Sequence, residues 1–509
     1  MANELQFRST VVAIEKEITQ NTLVEPTAAT SFIPILGNFE VTPAFDVIET
    51  EEVLNSIGTP KATLGFENPS ASVSLYLKGS SVQAQPPAWG ALLESLMGAR
   101  SVSAAEYDVI AGSTTTVLNL GVGEAATFER GEAVMVKDSS MTNGYQIRNI
   151  LSVDTILDKL TLSQALPSAP AALINLGRAI LYKPANSGHP SLSLWDYHSN
   201  GGATQVVSGA RAVSMAASIT AGGAIQADFS LEGIEFFFDP MIVKSTNKWF
   251  DVNEGGPEIN VSLAEKTYKD PYDLAAAIQT ALDNACAATI LCTYSDITRK
   301  YTITSNGATF QILWKTGVHG SDNTDTHIGS LIGFADAADD TLALSYVSDN
   351  AIVFTAPFTP TFDATDINVA KDNQVLLGGQ TDITCFRAST LTVNIGHDHT
   401  KVDDICATSG RSGSLFTKRT VTVDVVSYLE LGQSEEFKKF RNNDQVAFTF
   451  NYGKKSGGSW TPGTAGNIHM PTATISSFKL GNNNGLVTLE MQLKGFVASG
   501  LDEIYINYL

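Results

Sequence analysis

Two imidazoles two residues apart are the part of this sequence best equipped for chemistry. In "GHDHT", His397 and His399 would share one face of a strand, and imidazole nitrogens are common zinc ligands. A metal centre needs a third and a fourth ligand, and no neighbouring residue supplies them at a recognisable spacing. "DNTDTH" and "DAADD" carry carboxylates in the manner of calcium loops but lack the glycine and the terminal glutamate in register. "NLGVGEAATFERG" has a glycine pair without a phosphate-binding lysine or a following helix, so it reads as a turn. No Ser/His/Asp or Cys/His set can be assembled from local signatures. Cys286, Cys292, Cys385 and Cys406 show neither metal-site spacing nor the density of a disulfide scaffold, and are expected as buried thiols. The expectation is therefore no metal, no cofactor and no enzyme.

The elements that would have to position such residues are mostly strands. A chain of 509 residues is too long for a single core. With 43% hydrophobic residues, 41 glycines and only 17% charged residues, it favours short strands and turns over long surface helices. Its 53 acidic against 32 basic side chains give a formal −21, which disfavours any broad grip on phosphate backbones. The first residues, "MANELQFRSTVVAIEKEITQ", lack the order of a signal peptide, and no apolar run approaches a membrane span. A cytosolic origin without a membrane anchor is expected.

One hairpin is written twice. "GGAIQADFSLEG" alternates Ile225, Ala227, Phe229 and Leu231 with Gln226, Asp228, Ser230 and Glu232. "GNNNGLVTLEMQLKG", 262 residues further on, alternates Val487, Leu489, Met491 and Leu493 with Thr488, Glu490, Gln492 and Lys494. A period of two puts one set on a buried face and the other on a wet one, and the Gly/Asn-rich turn before each strand suits a hairpin. The correspondence extends outward. "PSLSLWDYHSNGG" matches "QVAFTFNYGKKSGG", and "ASVSLYLKG" with "PPAWGALLESLMG" parallels "RTVTVDVVS" with "LGQSEEFKKFRNND". Each of the latter reads as a strand running into a short helix, with Trp89, Leu92, Leu93 and Leu96 inward in the first and Phe437 and Phe440 in the second. Upstream, the stretch from Asn38 lines up with that from Ser389 with little or no gap. Two halves thus share one order of strand, long loop, strand, helix, strand and closing hairpin, which points to internal duplication.

The remainder falls between repeat elements. Residues 103–182 hold short, closely spaced strands, suggesting an inserted small β-barrel or sandwich. Residues 241–352 hold "YKDPYDLAAAIQTALDNAC", an amphipathic helix with Leu274, Ile278 and Leu282 on one stripe, followed by strands, suggesting an inserted α+β module. The expected architecture is mainly β. Two tube-like β-barrel or sandwich domains, one split over 1–102 and 183–240 and the other at 353–509, carry these two insertions.

The repeat unit resembles the tail tube (major tail) proteins of long-tailed, siphovirus-type bacteriophages. The opening "VVAIEKEITQNTLVEPTAATSFIPI" is similar to the N-terminal arm of one such family. "LKGSSVQAQPPAWGALLESLMGA" resembles its strand, Pro-rich turn and Leu-rich helix, and "MPTATISSFKLGNNNGLVTLEMQLKGF" its closing hairpin. "YDLAAAIQTALD", "SDITRKYTITS", "FQILW" and "LIGF" resemble a small module that recurs in phage appendage proteins. The departure is the duplication, since most members carry one unit per chain. The resemblance implies a structural virion protein, assembled in the bacterial host cytoplasm. It would stack as rings into a channel for genome delivery, with other tail proteins, including the tape measure protein, as partners. Two alternatives stand beside it: a minor tail or baseplate-hub ring, and a carbohydrate-binding appendage, for which Trp195, Trp249, Trp314 and Trp460 look too scattered to form a platform.

On that reading a duplicated chain fills two of six positions, so three copies close a ring with pseudo-sixfold symmetry. Asp228, Ser230, Glu232, Glu490, Gln492 and Lys494 are expected to face the lumen, past which DNA moves without specific binding. The long loops at 50–70 and 401–418 are expected to reach the adjacent ring, with Glu51, Asn55, Lys61, Asp403, Asp404, Arg411 and Lys418 as contact residues. Both insertions are expected on the outside.

Overall fold

A computed structural model describes the chain apart from residues 1–9, 51, 53–57, 59–60, 103–104, 199–200, 363–365, 408 and 431–433. The described chain is mainly β, with three α-helices. It divides into two compact units. One comprises Met1–Ala13, Leu194–Ser208 and Glu235–Thr359, and the other Ile14–Ser193, Gly209–Ile234 and Pro360–Leu509.

The larger unit is organised by one antiparallel sheet. Eight of its strands carry the repeat, and the first four are β1 (Leu36–Thr42), β4 (Ser70–Tyr76), β5 (Ala203–Thr220, in this unit from Gly209 on) and β6 (Gln226–Glu232). The second four are β7 (Ala388–Asp403), β8 (Arg411–Tyr428), β9 (Gly466–Asn483) and β10 (Leu486–Gly495). Pairing runs β1-β4-β6-β5 in the first half and β7-β8-β10-β9 in the second, and the halves join where Ser214–Thr220 of β5 pairs with Thr390–Gly396 of β7. The two halves share even an irregularity. β5 slips register between Ala212 and Ser214 against β6, and β9 slips between Ile475 and Ser477 against β10. A bulge recurring at the same place makes duplication the simplest account of the sheet.

This register corrects the alignment read from sequence. Ser72 pairs with Ser230 and Asp424 with Gln492, so Ser72 corresponds to Asp424, 352 residues on. Writing the stretches from Asn38 and Ser389 side by side sets Ser72 against Val423 instead. In a strand that single residue exchanges the two faces.

The apolar face is closed from below. Helix α1 (Gly90–Met97) buries Leu92, Leu93, Leu96 and Met97, and Trp89 lies 6.1 Å from Phe229 and 5.5 Å from Tyr508, ring to ring. The helix ends at Gly98, whose φ of +93° and whose closeness to His189 leave no room for a Cβ. Helix α3 (Ser434–Asn442) sets Phe437 and Phe440 against Phe478 of β9. Phe437, expected inward, is half exposed, because α3 sits at the open end of the sheet. Between β4 and β5 the chain forms a six-stranded sheet over Tyr107–Gly177 with its own core around Leu118, Val134, Ile150 and Leu176. There Arg178, fully buried, donates from Nε to Glu132 (2.6 Å) and stacks on Phe128. A ladder of buried asparagines, Asn149, Asn467, Asn451 and Asn507, ties this sheet to β9, with amide bonds of 2.7–3.0 Å centred on Asn467.

In the smaller unit, helix α2 (Pro271–Ala285) is capped by the Asp270 side chain and buries the stripe Leu274, Ile278 and Leu282. These pack with Phe250, Tyr301 and Trp314 in a separate core. No helix among the described residues is long and apolar enough to cross a membrane.

Candidate functional site

Side chains directly opposite one another in an antiparallel sheet point the same way, so the register fixes both faces across all eight strands. From Asp228 the wet face runs through Ser70, Ser72 and Ser74 on β4, Ser214 and Ser218 on β5, and Thr390, Thr392 and Asn394 on β7. It continues through Thr420, Thr422 and Asp424 on β8, Glu490, Gln492 and Lys494 on β10, and Ser477 and Lys479 on β9. Glu40 of β1 stands opposite Ser72. The other face is apolar and buried, with Val73, Phe229, Met215, Val393, Val423 and Leu493 at its centre.

The six residues expected to share a wet face therefore do share one, and the structure adds Glu40, Asp424 and Lys479 to it. Five carboxylates stand against two lysines, a formal −3 per chain. Lys479 pairs with Glu490 at 3.2 Å, Gln492 donates to Asp424 at 2.9 Å, and Ser74 hydrogen-bonds Asp228. Glu232 lies toward one rim and is half buried, and the His399 hydrogen bond holds its carboxyl below the ordinary range. Two positions break the expected alternation on β10. Val487 is exposed, and Thr488, opposite Tyr428 and Gly481, is buried.

His397 and His399 do not converge. His397 Nε2 donates to the Leu96 carbonyl (2.8 Å), and burial with the nearby Arg419 guanidinium pushes its pKa down to about 3. His399 Nδ1 bonds Glu232 (2.7 Å). Among the described residues, one set of three potential ligands lies close together, Asp325, His327 and Asp336 in the smaller unit. There the Gly329 N–H donates to His327 Nδ1 (3.1 Å), which leaves the proton on Nε2, 3.6 Å and 3.9 Å from the two carboxylates. In that tautomer Nε2 carries a proton toward the carboxylates, beyond hydrogen-bond distance of either, and offers no lone pair to a cation.

The stretch 401–418, expected as a long loop, is largely strand, and the described part of 50–70 holds a strand at Thr63–Glu67. β7 and β8 continue as a paired hairpin to Asp403 and Arg411, and Phe45–Ile48 (β2) pairs with Thr63–Glu67 (β3) in the first half. Asp403 and Arg411 are spent within the chain. Arg411 is buried, bonds Asp403 (3.3 Å), Asn68 and the Glu67 carbonyl (2.6 Å), and lies over Phe66, tying the two hairpins together. Asp404 accepts the Cys406 N–H (2.9 Å) at the hairpin tip, Lys418 is exposed, and the carbonyl of exposed Lys61 accepts from Thr50. Glu51 and Asn55 lie outside the described residues. What the sequence did not single out is the apolar character of these hairpins, since Val47, Ile48, Leu64, Val402 and Leu415 are exposed and Ile405 is fully so. Cys385 and Cys406, expected buried, are exposed free thiols.

The end strands differ from their internal counterparts. β5 is flanked on both sides in the sheet, and Ala217 is fully buried. The equivalent segment of β9, Ser477–Asn483, pairs only with β10 among the described residues, and Leu480 in the place of Ala217 is 55% exposed. β1 likewise pairs only with β4, and its Val41 is half exposed where the equivalent Val393 is buried. Of the five tryptophans, four are buried and Trp249 is stacked on His319 (4.0 Å), so none forms an exposed platform.

No family model and no curated protein matches this chain. Among solved structures it is similar to the SPP1 tail tube determined by solid-state NMR and cryo EM, at 15% identity and a TM-score of 0.21, over 27% of this chain and 77% of that one. At that score the likeness carries nothing further.

Proposed function

We propose that this chain is a structural protein of a phage tail tube, closing as a trimeric, pseudo-sixfold ring and stacking into a channel for the genome. The observation that carries the reading is the join between the halves. β5 of the first half pairs with β7 of the second, while among the described residues the equivalent edges, Ser477–Asn483 of β9 and β1, are left open at opposite ends of the eight repeat strands. An edge and its complement on one molecule make a heterologous contact that repeats, and closure removes exposed edges. Applied between copies, the internal register sets Leu480 against Val41 and Lys479 against Thr42 of the next chain, burying the two half-exposed apolar residues together.

Eight strands per copy give 24 in a trimer. At about 4.8 Å spacing and about 40° tilt the backbone circle is roughly 48 Å across, wide enough for duplex DNA after side chains narrow it. With the wet face inward, the wall is small, hydroxyl-rich and net acidic, a surface that repels phosphate instead of holding it. The tape measure protein would occupy the same lumen during assembly. Electron microscopy of the purified protein tests the proposal, with hollow tubes of three-chain rings as the expected result. Protein that stays monomeric at high concentration, or rings of six full chains, would overturn it.

A further inference from the structure

We propose that axial stacking is a knob-into-hole contact between two copies, in which the tip of the β7–β8 hairpin, led by Ile405, enters a pocket at the far rim of the next copy. The inference rests on the ring reading above and names the partner surface which that reading leaves open.

Strand direction puts the two features at opposite rims. β7 runs from Thr390, beside Thr220 at the end of β5, toward Gly396 and on into the long hairpin. The short turns β5–β6 and β9–β10 therefore lie at one rim and the β7–β8 tip projects from the other. At the short-turn rim a cavity of about 280 Å³ is lined by Ile219, Val375, Phe386, Leu391 and Phe450, with Cys385 and Arg387 at its polar part. At the hairpin rim Ile405 is fully exposed, with Val402 and Leu415 exposed on the strands behind it. Moving an exposed isoleucine out of water into an apolar cavity is favourable, and a half-apolar cavity that no side chain among the described residues fills is the complementary feature. The charges at the cavity leave a cation available to the tip. Asp404 precedes Ile405; at the cavity Asp372 is paired with Lys455 (3.1 Å), while Arg387 is highly exposed and its contact with Glu430 (3.0 Å) is a surface one. The Arg411 tie fixes the hairpin's direction, so little ordering cost falls on docking. A knob on one rim and a hole on the other form a contact that does not close on itself and so propagates along an axis.

The same docking brings Cys406, next to Ile405, toward Cys385, which lines the cavity, and both are exposed free thiols. Assembled wild-type protein treated with copper phenanthroline, which accepts the two electrons as two thiols lose their protons and join, is expected to give chains crosslinked into a ladder on non-reducing gels. Cys385→Ser and Cys406→Ser are each expected to abolish the ladder. Ile405→Glu is expected to leave the melting temperature within a few degrees of wild type, because the side chain touches solvent alone, and to yield single rings in place of tubes. Tubes of wild-type length from Ile405→Glu, or a ladder that survives Cys385→Ser, would overturn the knob-into-hole contact while leaving the ring reading intact. Wild-type protein that forms no rings would overturn the ring reading and this inference with it.

Discussion

Replacing Leu480 with aspartate attacks the proposed lateral contact without touching the fold of a single copy. Leu480 is 55% exposed in one chain, whereas its internal counterpart Ala217 is fully covered by β7. Burying a leucine completely stabilises by about 1.5–3 kcal/mol, so covering the exposed half contributes about 1 kcal/mol per interface. Aspartate removes that and sets an unpaired carboxylate against the apolar face, at a further cost of roughly 2–3 kcal/mol. Each interface then weakens by about 3–4 kcal/mol. A ring has three, so the trimer association constant falls by about seven powers of ten at about 1.4 kcal/mol per tenfold. Sedimentation velocity across the micromolar range reads this directly, with circular dichroism to confirm that the monomer melts as wild type. Leu480→Asp protein that forms rings at the wild-type concentration would refute the edge-to-edge contact.

Three other perturbations have defined outcomes. Asn467→Ala removes four buried amide bonds and leaves the amides of Asn149, Asn451 and Asn507 short of partners, so denaturant unfolding should show a loss of roughly 3–5 kcal/mol. In the smaller unit burial pushes both Asp196 and Asp239 up to about 6. The stability these two carboxyls contribute is full below their ordinary value near 3.8 and is lost as pH rises to about 6. Asp239→Asn keeps the acceptor for the Thr204 N–H, so its melting temperature should gain on wild type between pH 4 and 6.5, and a difference that does not vary with pH would count against this. Asp228→Lys combined with Asp424→Lys leaves the apolar face intact, so tubes should still form. DNA release through them should slow at low salt and recover as salt rises, and normal release at low salt would mean that this face does not line the channel.

The alternating strands, the amphipathic stripe of α2 and the doubled hairpin were legible in the sequence because each is set by local period: two residues for a half-buried strand, 3.6 for a helix. That period was enough to assign Phe229, Met491 and their neighbours to a core and Asp228 and Gln492 to water. It failed where burial depends on what lies beside a strand. Phe478, Leu480 and Val487 have the composition of core residues, yet they border an open edge and a hairpin tip. The sequence likewise suggested the duplication but put the upstream strands one residue out, because flanking glycines and short polar residues mark a turn only to within a residue or two. Pairing with β6 and β10 fixed that register, and with it the inclusion of Asp424 in the wet face. His397 and His399 share a strand and a spacing, but Leu96 and Glu232, 301 and 167 residues away in the chain, decide what the bonded nitrogen of each ring does. Arg411 reads from sequence as a free loop cation and is a buried tie between two hairpins, since only the fold brings Asn68 and Phe66 to it. Local chemistry determined which residues could be buried or wet. Which neighbours complete them was decided by long-range pairing, whose partners the one-dimensional pattern does not encode.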